Sequence, residues 1–168
     1  MAVEVRACVP GDDQAVRAVH LGAFPTAVEA DLVEQLQRDG EVVLSLVATE
    51  EECVVGHVLI SRMTAEGDGR AYRAVGLAPI AVLPERQRSG VGAQLIREAV
   101  TRLREQGEDL VFLVGEPNYY RRFGFDPATA APFASPYAGP YFMALALNDA
   151  ALPATGRAEY APAFADLE

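Results

Sequence analysis

Lysine is absent: all 14 cationic side chains of this 168-residue chain are arginine. A P-loop is thereby excluded, because its phosphate grip needs Gly-Lys-Ser/Thr. The protein also has no lysine of its own to modify. Basic charge is short overall, with a formal net charge of −10. That argues against nucleic acid or an anionic membrane as the main partner. It suits a cationic amine, although solubility alone explains it. No apolar run approaches the ~20 residues of a membrane span. The opening MAVEVRACVPGDD has no basic stretch ahead of a long apolar one, so no secretory signal is expected. Cysteine is scarce. Cys8 and Cys53 sit in separate strand-like segments and read as two buried, reduced thiols rather than a disulfide or a metal site. The expectation is a cytoplasmic protein, monomer or homodimer, without a metal.

What is present is enough for one folded domain: 51% of the residues are hydrophobic. Val3 to Cys8 alternate as a strand does. DDQAVRAVHLGAF reads as a helix capped by Asp12 or Asp13. A second helix is expected to open at Thr26, with Glu29 completing a capping box, and to stop at Gly40. Residues 42–48 and 53–61 flank the acidic turn Glu50-Glu51-Glu52 as a hairpin, and a polar loop TAEGDGR leads to a buried strand over 73–83. Pro79 cannot donate to a ladder, so a bulge is expected beside it. Val91, Leu95, Ile96, Ala99, Val100 and Leu103 recur at helical spacing, and Gly107 stops that helix. DLVFLV follows as a second buried strand. Strand, helix, strand makes the strands over 73–83 and 109–114 a parallel pair. A short helix NYYRRF, a Pro- and Ala-rich loop over 126–140 and a strand over 141–147 complete the domain, 1–148. The tail, 149–168, carries Tyr160 and Phe164 and is expected to dock on the same domain.

The chemistry is concentrated in IAVLPERQRSGVGAQLI, residues 80–96. A buried strand runs through a short turn into the first turn of a long helix, where backbone N–H groups lack internal partners and the dipole is positive. Gly90 and Gly92 keep side chains away from that spot, which suits a pyrophosphate. Hydrogen bonds to a charged group are worth ~1.5–3 kcal/mol each, so a few amides outweigh the acidity of the whole chain. A dinucleotide fingerprint does not fit. The motif comes late, and Leu95 stands where a third small residue is required.

This stretch resembles the central motif of the GNAT superfamily, [QR]-x-x-G-x-[GA], with Gln87, Gly90 and Gly92 in place and Val82 and Pro84 ahead of them. Tyr120-Arg121-Arg122-Phe123-Gly124-Phe125 resembles the family's second signature, Tyr-x-x-x-Gly-Phe. The resemblance covers about residues 3–147. It implies a single α/β domain with a mixed, mostly antiparallel sheet, helices on both faces and a central parallel pair that splays. It implies acetyl-coenzyme A as cosubstrate and direct transfer to a primary amine of a small molecule or protein. Pantetheine would lie along Ile80, Ala81 and Val82. The pyrophosphate would meet Arg88, Ser89, Gly90, Val91, Gly92 and Ala93. Tyr120 would protonate the departing thiolate. A backbone N–H near Val82 or Leu83 would stabilise the oxyanion. Leu113 stands where many members carry Asn, and VFLV lacks the Glu that some relatives use. The base therefore stays open among Glu116, His57, Glu34 and water. Tyr119 reads as a packing residue, Tyr137 and Tyr141 as walls of an acceptor pocket, and Arg121 and Arg122 as further phosphate contacts. A non-catalytic acyl-coenzyme A sensor is the alternative from another class.

Overall fold

Residues 2–167 are described by the computed structural model; Met1 and Glu168, the outer ends of the expected domain and tail, lie outside the described residues. β1 (Val3–Ala7) pairs antiparallel with β2 (Val42–Glu50), and β2 with β3 (Cys53–Gly67). β3 pairs antiparallel with β4 (Arg70–Val82), and β4 runs parallel to β5 (Leu110–Val114). β5 pairs antiparallel with β7 (Phe142–Ala146). The segment TAEGDGR is no loop. β3 continues through Gly67 because Thr64–Gly67 bonds β4 on one side and β8 (Gly156–Glu159) on the other. Inside the expected loop over 126–140 lie a short helix, α5 (Pro127–Ala130), and β6 (Phe133–Ala134), which pairs parallel with β8.

Before β2 come α1 (Asp13–Ala23) and α2 (Val28–Arg38). The expected caps differ. Asp12 is bound instead by Arg6 at 2.7 and 2.9 Å, and it accepts the Val9 N–H at 2.9 Å. Thr26 accepts only weakly from the Val28 N–H, at 3.4 Å, so no capping box forms. α3 (Val91–Glu105) buries the six apolar residues read from its spacing. It covers one sheet face, where its Leu95, Ile96 and Leu103 join Leu46, Val58, Ile60, Val75 and Val111. Each such burial contributes ~1.5–3 kcal/mol. α1 and α2 cover the opposite face with Ala161, Ala163 and Phe164 of the C-terminal segment. The cysteines depart from expectation: Cys8 is only half-buried, and Cys53, at the edge of the β2–β3 turn, is exposed.

The parallel pair is short. Only Ala74, Val75 and Gly76 face Leu110, Val111 and Phe112. That closed part is clamped by Glu108, 2% exposed, which takes both guanidinium nitrogens of Arg62 at 2.6 and 2.9 Å and one of Arg73 at 2.9 Å. Burial opposes the charge of Glu108, but these bonds win and hold its carboxyl below the usual range. Beyond Gly76 the strands part. β4 bulges at Ala78-Pro79, since Val58 faces Ile80 while Ile60 faces Leu77. A slot opens between β4 and β5.

Candidate active site

The β4 wall of the slot is main chain. The Leu83 N–H donates to the Val55 carbonyl at 2.9 Å, which makes that pair hydrogen-bonded. Bonding alternates along an antiparallel ladder. Ala81 therefore points its backbone groups at β3, while Ile80 and Val82 point theirs over the slot. Of the two oxyanion donors expected, Leu83 is thus already engaged and Val82 faces the right way.

Past the strand, the turn is held from three sides. Gln87 Nε2 donates to the Val82 carbonyl at 3.0 Å. The Arg86 guanidinium grips Glu50 at 2.8 Å, and the Ser89 hydroxyl bonds the Arg86 carbonyl. The chain then enters α3 through left-handed positions at Arg88 (φ 64°) and Gly90 (φ 90°). Such a φ costs a residue with a Cβ ~1–2 kcal/mol, which glycine avoids. The first helical bond is Gln94 N–H to the Gly90 carbonyl at 3.0 Å. The N–H groups of Val91, Gly92 and Ala93 have no partner among the described residues, and Gly90 offers no capping side chain. Gly92 and Ala93 line a cleft of about 340 Å³ together with Val82, Arg88, Gly90, Tyr119 and Arg122. Arg88 has no ion pair among the described residues. A Cβ on Gly92 would lie 3.3 Å from the Tyr119 hydroxyl, so a larger residue there would narrow the cleft.

Tyr119, which the sequence suggested was only packing, is therefore on the cleft wall, with the Arg122 guanidinium 4.7 Å above its ring and the Arg122 Nε donating to its carbonyl at 3.0 Å. Tyr120 follows it in α4 (Pro117–Tyr120) but turns its ring onto the Gly115 backbone and edge-on to Phe125 at 6.2 Å. Burial, with a smaller contribution from Tyr119, raises the Tyr120 phenol to about 12. It stays protonated at neutral pH. Arg121 is exposed, as is Tyr141.

The base candidates are dispersed. His57 and His20 are 0% exposed. His20 Nε2 meets His57 Nδ1 at 2.8 Å, and His57 Nε2 meets the Ser45 hydroxyl at 2.8 Å. Burial lowers His20 to about 4. Burial, reinforced by His20, lowers His57 to about 3. Both are neutral core groups, and His57 is closed to contact with an acceptor. Glu34 is tied to Arg17 at 3.1 Å between α1 and α2. Glu116 is exposed at the start of α4, and its carboxylate makes no hydrogen bond among the described residues. The His20–His57–Ser45 chain was invisible in the sequence, since it joins α1, β3 and β2.

Residues 4–128 match the family model described as acetyltransferase (GNAT) domain. The chain is 42% identical over 118 residues to an uncharacterized N-acetyltransferase of Escherichia coli K12, YjhQ, a match covering 69% of this chain and 65% of that protein. The chain thus spans a little under two thirds of YjhQ. It is 36% identical over 125 residues to YhbS of the same organism, also an uncharacterized N-acetyltransferase, covering 74% of each. The crystal structure of E. coli YhbS in complex with CoA superposes with a TM-score of 0.87 at 34% identity, covering 97% of this chain and 92% of that one. A GNAT family acetyltransferase from Brucella melitensis in complex with acetyl-CoA gives 0.80 at 33% identity, covering 97% and 98%. Among the described residues, no helix is long and apolar enough to cross a membrane.

Proposed function

The chain belongs to the GNAT acetyltransferase family, and from that premise we propose that it transfers an acetyl group from acetyl-coenzyme A to a primary amine within a ternary complex, in the cytoplasm. The observation that carries the reading is the line of main chain from Ile80 and the Val82 N–H along the slot to the unpaired Val91, Gly92 and Ala93 amides at the mouth of α3. That spacing suits a long ligand with amide groups at one end and a diphosphate at the other. Arg88 and Arg122 add positive charge beside the amides. Arg88, Ser89 and Gly90 form the approach, and Ala81 fixes the strand against β3.

In the reaction proposed, the neutral amine attacks the thioester carbonyl. The carbon–sulfur bond breaks and the sulfur leaves with the electron pair. The Tyr120 phenol, kept protonated by its burial, gives its proton to that sulfur. The Val82 N–H faces the developing oxyanion. The amine's proton passes to water, with Glu116 the candidate carboxylate that is exposed and unpaired among the described residues. The test is calorimetric binding of coenzyme A, followed by release of free thiol from acetyl-coenzyme A with a panel of primary amines. Binding with turnover on at least one amine is expected. Binding without turnover on any amine would point to a sensor instead, and no binding would end the proposal.

A further inference from the structure

Three arginines line the cleft at the mouth of α3, and they are not equivalent. The charge of Arg86 is met by Glu50 at 2.8 Å. Arg88 and Arg122 make no ion pair among the described residues. Arg122 is held in place all the same. Its Nε donates to the Tyr119 carbonyl at 3.0 Å, and its guanidinium lies 4.7 Å from the centre of the Tyr119 ring. That ring is braced in turn, edge-on to Tyr120 at 5.0 Å and to Phe123 at 5.4 Å. An arginine side chain loses much rotamer freedom when it is fixed. Here it is fixed on an exposed wall with no anion beside it, and its two terminal nitrogens have no hydrogen-bond partner among the described residues.

We infer that Arg122, with Arg88, receives the phosphate monoester on the ribose of coenzyme A, so that the protein selects coenzyme A over its dephospho form. This rests on the acetyltransferase reading above. Charge sorts the phosphates. Each half of the diphosphate is a diester with one negative charge, which suits main-chain amides at a positive helix end. The ribose phosphate is a monoester with a second pKa of ~6, so it carries about −1.5 to −2 at neutral pH. Two guanidiniums match that charge, and the planar fork of arginine meets phosphate oxygens two at a time. Position sorts them as well. The Tyr119 hydroxyl is on the side of the amides, since a Cβ on Gly92 would lie 3.3 Å from it. Arg122 covers the face of the same ring. The hydroxyl is thus placed for the diphosphate and the guanidinium for the next phosphate along the ligand. On a chain of net charge −10, a polyanionic ligand depends on such local, unneutralised positive charge.

The experiment is calorimetry on the full chain with coenzyme A and with dephospho-coenzyme A. Wild type is expected to bind coenzyme A at least about 10-fold more tightly, the scale of one hydrogen bond between charged groups. Arg122→Gln should shrink that ratio below about 3-fold while the affinity for dephospho-coenzyme A stays nearly unchanged. Arg38→Gln removes the same charge from an exposed position on α2, outside the cleft, and should leave the ratio as in wild type. Tyr119→Phe keeps the ring and should weaken both ligands alike. Equal affinity of wild type for the two ligands overturns the inference. So does a ratio that survives Arg122→Gln combined with Arg88→Gln, or one that Arg38→Gln or Tyr119→Phe lowers as far as Arg122→Gln does. Coenzyme A binding in any of these cases leaves the acetyltransferase reading standing; no coenzyme A binding by wild type removes both.

Discussion

The two ends of the slot are built on different plans. The outer end is a run of consecutive residues, Gln87 to Ala93, offering main-chain amides at the start of α3. At the inner end distant segments meet: the Tyr160 ring, after β8, covers the sheet at Gly76 and meets Tyr137, before β7, edge-on. Backbone amides are the same whatever the acceptor, so the outer end suits a constant ligand. Side chains brought together by folding can be exchanged one at a time, so the inner end is free to differ where the outer end is not.

Gly90→Val strikes the outer end hardest. A β-branched residue is strained at φ 90° and disturbs the helix mouth, so coenzyme A affinity should fall on the order of 100-fold or more by calorimetry. Equal affinity would break the assignment of that end to the diphosphate. Tyr120→Phe tests the proposed proton donor. Turnover should fall roughly 100-fold with coenzyme A affinity nearly unchanged, and an unchanged rate removes Tyr120 from the reaction.

Glu108→Gln tests the clamp that keeps β4 and β5 together behind the slot. Its two arginine partners are 39% and 60% exposed, so they recover solvent, and the loss in a denaturant melt should be about 2 kcal/mol. A change in amine preference along with stability would show that the clamp also shapes the inner end.

The buried histidines give a pH signature. Their folded values, about 4 for His20 and about 3 for His57, lie below the ordinary 6.5. The unfolded chain therefore binds more protons below pH ~6.5, and stability is full above that value. It drains as the pH falls toward the folded values, by roughly 2–4 kcal/mol between pH ~6.5 and ~4.5. In His57→Gln the slope over that window should flatten; a slope equal to wild type would mean the pair is not buried and neutral. Gly92→Ala is the mildest change. Its Cβ would sit 3.3 Å from the Tyr119 hydroxyl, so coenzyme A affinity should drop only a few-fold.

Much was legible before folding was considered. The apolar spacing of Val91 to Leu103 gave the face of α3, Pro79 marked the bulge, and strand-helix-strand order implied the parallel pair. These are local or nearest-neighbour properties. The cap of α1 misled because the Asp12 carboxylate had a better partner in Arg6, a residue on another element, and that of α2 because the helix starts at Val28, one residue too late for Thr26 to be its N-cap. Tyr119 looked idle because helical position alone does not say that Gly92 approaches its hydroxyl.

The sequence alone determined the open mouth of α3, because unpaired amides and a residue with positive φ are consequences of a few adjacent residues. Only the tertiary structure decided which N–H of β4 faces the slot, that His20 and His57 share one buried bond, and that Tyr160 closes on Gly76. Those depend on strand register and on the docking of the C-terminal segment, which are set by burial summed over the whole core rather than by any one stretch of chain.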